Sequence, residues 1–380
     1  MTRFGSVAGL FVLFFAVAAT AVDHLEFERD GTRRYVSGRV LVDAQDGGRL
    51  LQTVDGTLWT IQPDEIVKES SDQRPFAPLP LDGLTAQLLK ELPQGFRSHT
   101  TAHYIIAHDT SRAYAVWCGG LFERLHRAFV NYWTRRGMDL HEPEFPLVVI
   151  AFADSAAFHK HAAAELGDAA TAVLGYYSLQ TNRVTMYDLT GAEKLRGRSD
   201  RRGSVADINR LLAQPAAEPL VATIVHEATH QVSYNVGLQT RYADNPMWLS
   251  EGLAVYFETP DLASRRGWRG IGQVNRRRLA TFQQGLAARP TASLASLIAS
   301  DGRFRDTRTG PAAYAEAWAL NHFLIRQRPE EFTAYLQMLA AKPRMIEDDP
   351  DTRLGEFKRF FGNNLRTLDA DILQAMERLR

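Results

Sequence analysis

Residues 221–232 read VATIVHEATHQV and residues 245–254 read NPMWLSEGLA. His226 and His230 are four apart, so on an α-helix their imidazoles leave one face, close enough to share a metal ion. Glu227 projects beside them, within reach of a water on that ion without being a ligand itself. The residues flanking the motif are uncharged, as a helix buried beneath a cleft requires, and Glu218 or Pro219 marks its start. A buried histidine pair costs free energy unless something satisfies it, and Zn²⁺ would do so. A catalytic zinc takes three protein ligands and keeps one position open. The pattern HExxHxxGxxH is excluded, because Ser233 stands where its glycine is needed and Val236 where its third histidine is needed. The other source of a third ligand is a glutamate on a following helix, which Glu251 supplies. Asn245 as N-cap and Pro246 at the first helical position start that helix, and a turn through Gly237 to Asp244 folds it back beside the first. Trp248, Leu249, Leu253 and Ala254 surround Glu251 with apolar side chains, which argues against an ordinary solvated helix glutamate.

HEATH followed by the glutamate of WLSEGLAVYFE resembles the gluzincin metallopeptidases of the thermolysin-like clan, whose pattern is HExxH plus a Glu in a W-L-x-E-G-x-A helix. The stretch from about Tyr104 through Phe257 is similar to an uncharacterised bacterial family with a peptidase-like domain, often preceded by a small β domain. The resemblance implies zinc as cofactor, His226, His230 and Glu251 as its ligands, and a peptide or protein substrate. It implies Glu227 as the catalytic carboxylate, which takes a proton from water and returns it to the departing amine. The gap between His230 and Glu251 is slightly longer than in the commonest gluzincins, which bears on subfamily and not on the ligand set. Tyr314, in the GPAAYAEAW of residues 310–318, is similar to the tyrosine that certain gluzincins place opposite the zinc to stabilise the oxyanion. Core packing is its competing reading, and it is the stronger one for Tyr256 and His322. Glu258, seven residues after Glu251 and on the same face, is placed either to orient a ligand imidazole or to face solvent. The resemblance expects an edge strand along the cleft, which the alternating NRVTMYD of residues 182–188 would provide for an extended peptide. That stretch carries nothing resembling the acidic signature of the clan's aminopeptidases, which favours endopeptidase action.

The 380 residues carry 44 basic and 44 acidic side chains, so no net field draws the chain to nucleic acid or anionic membrane. A composition 45% hydrophobic and 23% charged excludes global disorder and a polytopic membrane protein. The single cysteine, Cys118, excludes an intramolecular disulfide and a cysteine zinc cluster, and its apolar helix face marks it as an inert buried thiol. Arg3, the apolar run Val7 to Ala19 and the exit Ala19-Thr20-Ala21 read as a signal peptide, predicting a periplasmic or secreted chain; the alternative is an uncleaved membrane anchor.

The expected fold class is α+β. Residues 1–21 are the signal peptide. Residues 22–69 are a small SH3-like β-barrel, because Asp30-Gly31, Asp46-Gly47-Gly48 and Asp55-Gly56 separate β-prone runs as hairpin turns do. Residues 70–82 are a linker by their prolines. Residues 83–262 form an α+β zinc-peptidase-like domain, with a polar insertion from Gly191 to about Glu218. Residues 263–380 are a helical part that completes the cleft, with helices near 277–286, 313–326, 329–341 and 353–379. His159 and His161 point apart on their helix and read as surface. Arg265, Arg266, Arg269, Arg276, Arg277 and Arg278 read as a solvated basic face. Two other functions fit the same residues: a noncatalytic protein that keeps the zinc scaffold while its β domain binds an envelope partner, and a zinc hydrolase of a nonpeptide amide. The intact Glu227 speaks against the first.

Overall fold

Asp30 (φ 52°) and Gly31 (φ 68°) both adopt the left-handed backbone that a two-residue hairpin turn demands, so β1 (Ala21–Arg29) and β2 (Thr32–Asp43) pair antiparallel through Arg29↔Thr32. The computed structural model describes residues 21–191, 203–259, 268 and 270–379. Residues 1–20 of the expected signal peptide lie outside them, as do Arg265, Arg266 and Arg269. The chain divides into two compact units, Met1–Val54 with Leu58–Pro78, and Asp55–Thr57 with Leu79–Arg380. In the first, β3 (Arg49–Thr53), β4 (Leu58–Ile61) and β5 (Ile66–Pro75) complete an antiparallel sheet of order β4-β3-β2-β1-β5 around Leu25, Phe27, Leu51 and Ile61. No ladder joins β4 to β5 among the described residues, so the sheet is open where a closed barrel was expected. The linker also begins later than its prolines suggest. Ser70 to Asp72 pair with β1, and Pro75 ends the strand opposite Ala21 at the sheet edge, where its missing N–H costs no interior ladder bond.

The second unit opens with α1 (Leu81–Glu91) and a five-stranded sheet of order β6-β7-β8-β10-β9. Its strands are β6 (Arg97–Thr100), β7 (Tyr104–His108), β8 (Leu147–Phe152), β9 (Gly175–Tyr177) and β10 (Arg183–Tyr187). β7, β8 and β10 run parallel, joined by α2 (Arg112–Thr134) and α3 (Ser155–Leu166), and β6 and β9 are antiparallel edges. Period-two alternation gives the central strands two buried faces. Ile105, Val148 and Ile150 face a core shared with Leu84, Leu88 and Phe158, whereas Ile106, Leu147 and Val149 face one shared with Phe122, Phe129 and Val225. Cys118 is buried in that second core, and burial pushes its thiol well above the ordinary range.

Within the expected insertion, residues 192–202 lie outside the described residues, but α4 (Val205–Leu212) is a regular helix. Ser204 caps it, and Ile208, Leu211 and Leu212 are buried. α5 (Glu218–Asn235) and α6 (Met247–Phe257) carry the quoted motifs. They are followed by α7 (Arg276–Gly285), α8 (Ser293–Ala299), α9 (Gly302–Arg305), α10 (Gly310–Gln327), α11 (Pro329–Ala340), α12 (Pro350–Phe361) and α13 (Leu365–Glu377). The long helix expected over 353–379 is therefore two, broken at Gly362, whose φ of 96° a helix cannot accommodate. The fold class is α+β, and one core runs without interruption from α2 and α5 through α6 and α10. Among the described residues no helix is long and apolar enough to cross a membrane.

Two buried histidines in this core make stability depend on acid. Burial pushes both His126 and His322 down to about 4. As pH falls through about 6.5 the unfolded chain takes up protons that the folded chain refuses until about 4. Stability contributed by their neutral forms is therefore intact above that window and lost through it, up to about 3 kcal/mol for each group. Urea unfolding at pH 7.5 and pH 5 is expected to show a smaller acid loss in His322→Gln than in wild type. Equal losses would remove His322 from the account.

Candidate metal centre

α5 is buried on nearly every side, so each polar residue in it must find a partner. Gln231 Nε2 donates to the carbonyls of Val148 (2.9 Å) and Asn182 (2.8 Å), and Asn182 and Asn235 exchange amide hydrogen bonds of 2.8 and 2.7 Å. These bonds fix the helix against β8 and the start of β10. Gly237 (φ 84°) ends it, with the N–H groups of Leu238 and Gln239 returning to the Ser233 carbonyl at 3.1 Å. The next helix starts differently from the sequence expectation. Pro246 is the N-cap of α6, and Asn245 turns its amide back to the carbonyls of Thr240 (2.8 Å) and Ala243 (2.9 Å). The exposed N–H of Met247 is taken by Asp301 Oδ1 at 3.0 Å, a carboxylate 54 residues away.

This framework brings His226, His230 and Glu251 together. His226 Nε2 lies 3.2 Å from His230 Nε2 and 3.0 Å from Glu251 Oε2, and His230 Nε2 lies 3.6 Å from Glu251 Oε1. The edge of a tetrahedron of ligands about 2.0–2.1 Å from a zinc ion is about 3.3 Å, and the three separations bracket it. Which nitrogen of His226 holds a proton decides what the cluster can bind. His226 Nδ1 faces Glu258 Oε2 at 3.2 Å. With its proton donated there, the neutral ring turns the Nε2 lone pair toward a carboxylate and a second imidazole. Acceptors converging on one point fit a small divalent cation. Burial opposes charge here, yet Glu251 and Glu258 carry His226 up to about 10, and His230 and His226 hold Glu251 well below the usual carboxylate range.

Glu258 is 4% exposed and does not face solvent. Asn275 Nδ2 donates to its Oε1 at 2.8 Å, and Arg278 Nε and Arg277 Nη2 lie 3.5 and 3.7 Å from the same oxygen. Burial would raise its carboxyl, but His226, Arg278 and Asn275 hold it below the ordinary value. Part of the expected solvated arginine face thus leans on the carboxylate that faces His226. Arg276 is exposed.

Glu227 is half-buried, and its Oε2 accepts the backbone N–H of Tyr177 at 2.9 Å. Burial raises its carboxyl, with His226 and His230 working against the rise. Tyr177 belongs to β9, which is the edge strand on this side, whereas β10, expected at the edge, is covered by β9 through Val184↔Tyr177 and Met186↔Gly175. Three residues between two turns gave β9 no periodicity to read. Tyr314 also reaches the cluster. Burial and then the carboxylates of Glu251 and Glu227 push its hydroxyl far above the phenol range, and Arg278 lies 5.4 Å from its ring centre. Gly252 makes that approach feasible, because a Cβ there would collide with the Asn321 side chain and the Ala317 carbonyl of α10. Tyr256 instead meets the Tyr132 hydroxyl at 2.8 Å, and His322 packs on Trp318 with ring centres 5.3 Å apart. His159 is half-buried and His161 exposed on α3.

Among the described residues a second group, His103, His126 and Glu142, also brings nitrogen and carboxylate atoms within 4.8 Å of one another. Its rings stack at 4.0 Å and 27°, so their in-plane lone pairs run side by side and do not converge. His103 is instead held between Glu123 (2.8 Å) and Glu142 (3.3 Å).

Residues 220–345 match a family model described as protein of unknown function (DUF1570). The match begins with the first turn of α5 and extends over α6 and α10, so it contains His226, Glu227, His230, Glu251, Glu258 and Tyr314. No curated protein matches the chain.

Proposed function

We propose that this chain is a zinc-dependent metallopeptidase of the gluzincin kind, exported to the periplasm or beyond. The observation that carries the reading is the convergence of His226 Nε2, His230 Nε2 and the Glu251 oxygens at ligand-like separations, beside the Glu227 carboxylate, which stands outside the cluster. Two histidines and one glutamate would hold the zinc, whose bound form acidifies water and polarises a carbonyl. Glu258 fixes the tautomer and ring orientation of His226. Glu227 receives the proton from the attacking water and delivers it to the leaving amine, while the Tyr177 N–H holds its other oxygen in place. Tyr314 donates its hydroxyl to the oxyanion, with Arg278 across its ring. An extended peptide lies along β9, whose Gly175–Tyr177 carries no carboxylate to seize a free amino terminus, which favours endopeptidase action. The N-terminal sheet holds no site of this kind among its described residues and serves to bind an envelope partner.

The test joins metal analysis to cleavage. Purified full-length chain is expected to contain about one zinc and to cut members of a peptide library, with cutting abolished by chelation and restored by zinc. Stoichiometric zinc without cleavage of any peptide would favour the scaffold reading, and cutting that survives complete metal removal would end the metallopeptidase reading.

A further inference from the structure

Glu227, Gln231 and Asn235 follow one another at intervals of four along α5, so they form a row on one face of that helix. All three grip the same hairpin. Glu227 Oε2 accepts the Tyr177 N–H at 2.9 Å, Gln231 Nε2 donates to the Asn182 carbonyl at 2.8 Å, and Asn235 exchanges amide hydrogen bonds with the Asn182 side chain. Tyr177 ends β9 and Asn182 immediately precedes β10, so the row holds both ends of the turn between these strands.

The two ends are also tied to each other. The Tyr177 ring lies on Tyr234 of α5, with centres 5.9 Å apart and planes 15° apart, and its hydroxyl donates to Asn182 Oδ1 at 2.8 Å. The same oxygen accepts Asn235 Nδ2 at 2.7 Å. A closed circuit results, running from Glu227 down the helix to Asn235, across to Asn182, along the Tyr177 side chain and back to Glu227 through the Tyr177 N–H. The helix is its rigid member, covering about 12 Å between Glu227 and Asn235. Asn182 has φ 62°, in the left-handed region that asparagine enters more readily than bulkier residues, and it is 4% exposed. Glycine would satisfy that backbone alone. The buried amide adds the bonds that close the circuit, and its oxygen and nitrogen both have partners.

We infer that Asn182 is a positioning residue for the Glu227 carboxylate: through Tyr177 it holds a backbone N–H against Glu227 Oε2 and so keeps the other oxygen aimed at the attacking water. The inference rests on the metallopeptidase reading, which gives Glu227 its task. The hydrogen bonds of Asn182 go to Tyr177, Ser178, Gln231 and Asn235, none of them a metal ligand, so its influence on the reaction passes through placement. A carboxylate free to turn about its last bond loses alignment with the water, and a misplacement of about 1 Å costs up to about 10²-fold in rate.

The experiment measures kcat and KM on a fluorogenic peptide with zinc-loaded full-length chain, and places each variant in the wild-type and Glu227→Gln backgrounds. Asn182→Gly keeps the positive φ and deletes the side-chain part of the circuit. Tyr177→Phe deletes one hydrogen bond and keeps the backbone N–H and the ring on Tyr234. Asn182→Gly is expected to lower kcat by about 10–100-fold and Tyr177→Phe by roughly 3–10-fold. Zinc content should be unchanged and KM altered by no more than about threefold. The double variant should be no slower than Asn182→Gly alone, because both changes break one circuit. In the Glu227→Gln background neither change should slow the residual cleavage further, whereas a purely structural role would cost the same factor in both backgrounds. If Asn182→Gly does not fold, Tyr177→Phe in the two backgrounds decides by the same comparison. An unchanged kcat in Tyr177→Phe and Asn182→Gly, or an equal loss with and without Glu227, would overturn the assignment and leave the peptidase reading standing. No cleavage of any peptide by zinc-loaded wild type would overturn both.

Discussion

Replacing Glu227 by glutamine is expected to lower kcat/KM for peptide cleavage by about 10²–10⁴-fold with metal content and thermal midpoint unchanged. The substitution is nearly isosteric, and the glutamine carbonyl oxygen can still accept the Tyr177 N–H that Glu227 accepts at 2.9 Å. Packing is therefore kept. What disappears is the ability to bind a proton in one step and release it in the next. Burial already raises the Glu227 carboxyl, which moves it toward the range where a base working near neutral pH transfers protons well. A fluorogenic peptide assay alongside metal analysis reads both quantities. Activity equal to wild type would remove Glu227 from the chemistry, and loss of metal would reassign it to holding the site together.

What could be read from the sequence divides along a physical line. Spacing within one helix is set by helix geometry alone, so the common face of His226 and His230 was legible, as was the position of Glu258 one face-repeat after Glu251. Turns were legible too, because Asp30-Gly31 needs nothing distant to form. Features decided by partners far along the chain were not. Asn245 looked like an N-cap, but the free N–H of Met247 is claimed by Asp301, and no local pattern announces a carboxylate arriving from a loop 54 residues away. β9 is too short for alternation to show. The clustering of Arg277 and Arg278 around Glu258 follows from where α7 starts, which the run of arginines conceals by looking like any solvated face. One signal was overlooked. Gly252, beside Glu251 in an otherwise bulky helix, marks a close helix crossing, and that crossing lets Tyr314 approach the cluster.

Replacing Glu251 by alanine is expected to abolish both metal retention and peptide cleavage. Loss of a direct ligand should weaken the metal by more than the roughly 10–100-fold that follows loss of an outer partner. The same experiment separates two accounts of one geometry. In the first, a cation occupies the point where the three side chains converge. In the second, a proton does: burial disfavours the charge, but Glu251 and Glu258 raise His226 to about 10, enough to hold an imidazolium between two carboxylates. The proton account leaves a mismatch. If His226 Nε2–H donates to Glu251 at 3.0 Å, His230 Nε2, 3.2 Å from that nitrogen, is left to turn a proton of its own toward Glu251 Oε1 at 3.6 Å, longer than a good hydrogen bond. The two accounts respond oppositely to chelation. A cation bound at 10²–10³ times its dissociation constant stabilises the fold by about 3–4 kcal/mol, so its removal from wild type should lower the thermal midpoint by roughly 5–10 °C. Glu251→Ala should start lower and not respond to chelator at all. A proton-held cluster predicts no chelator response in either protein, and a wild-type midpoint unmoved by exhaustive chelation, with no metal in the starting sample, would decide for it.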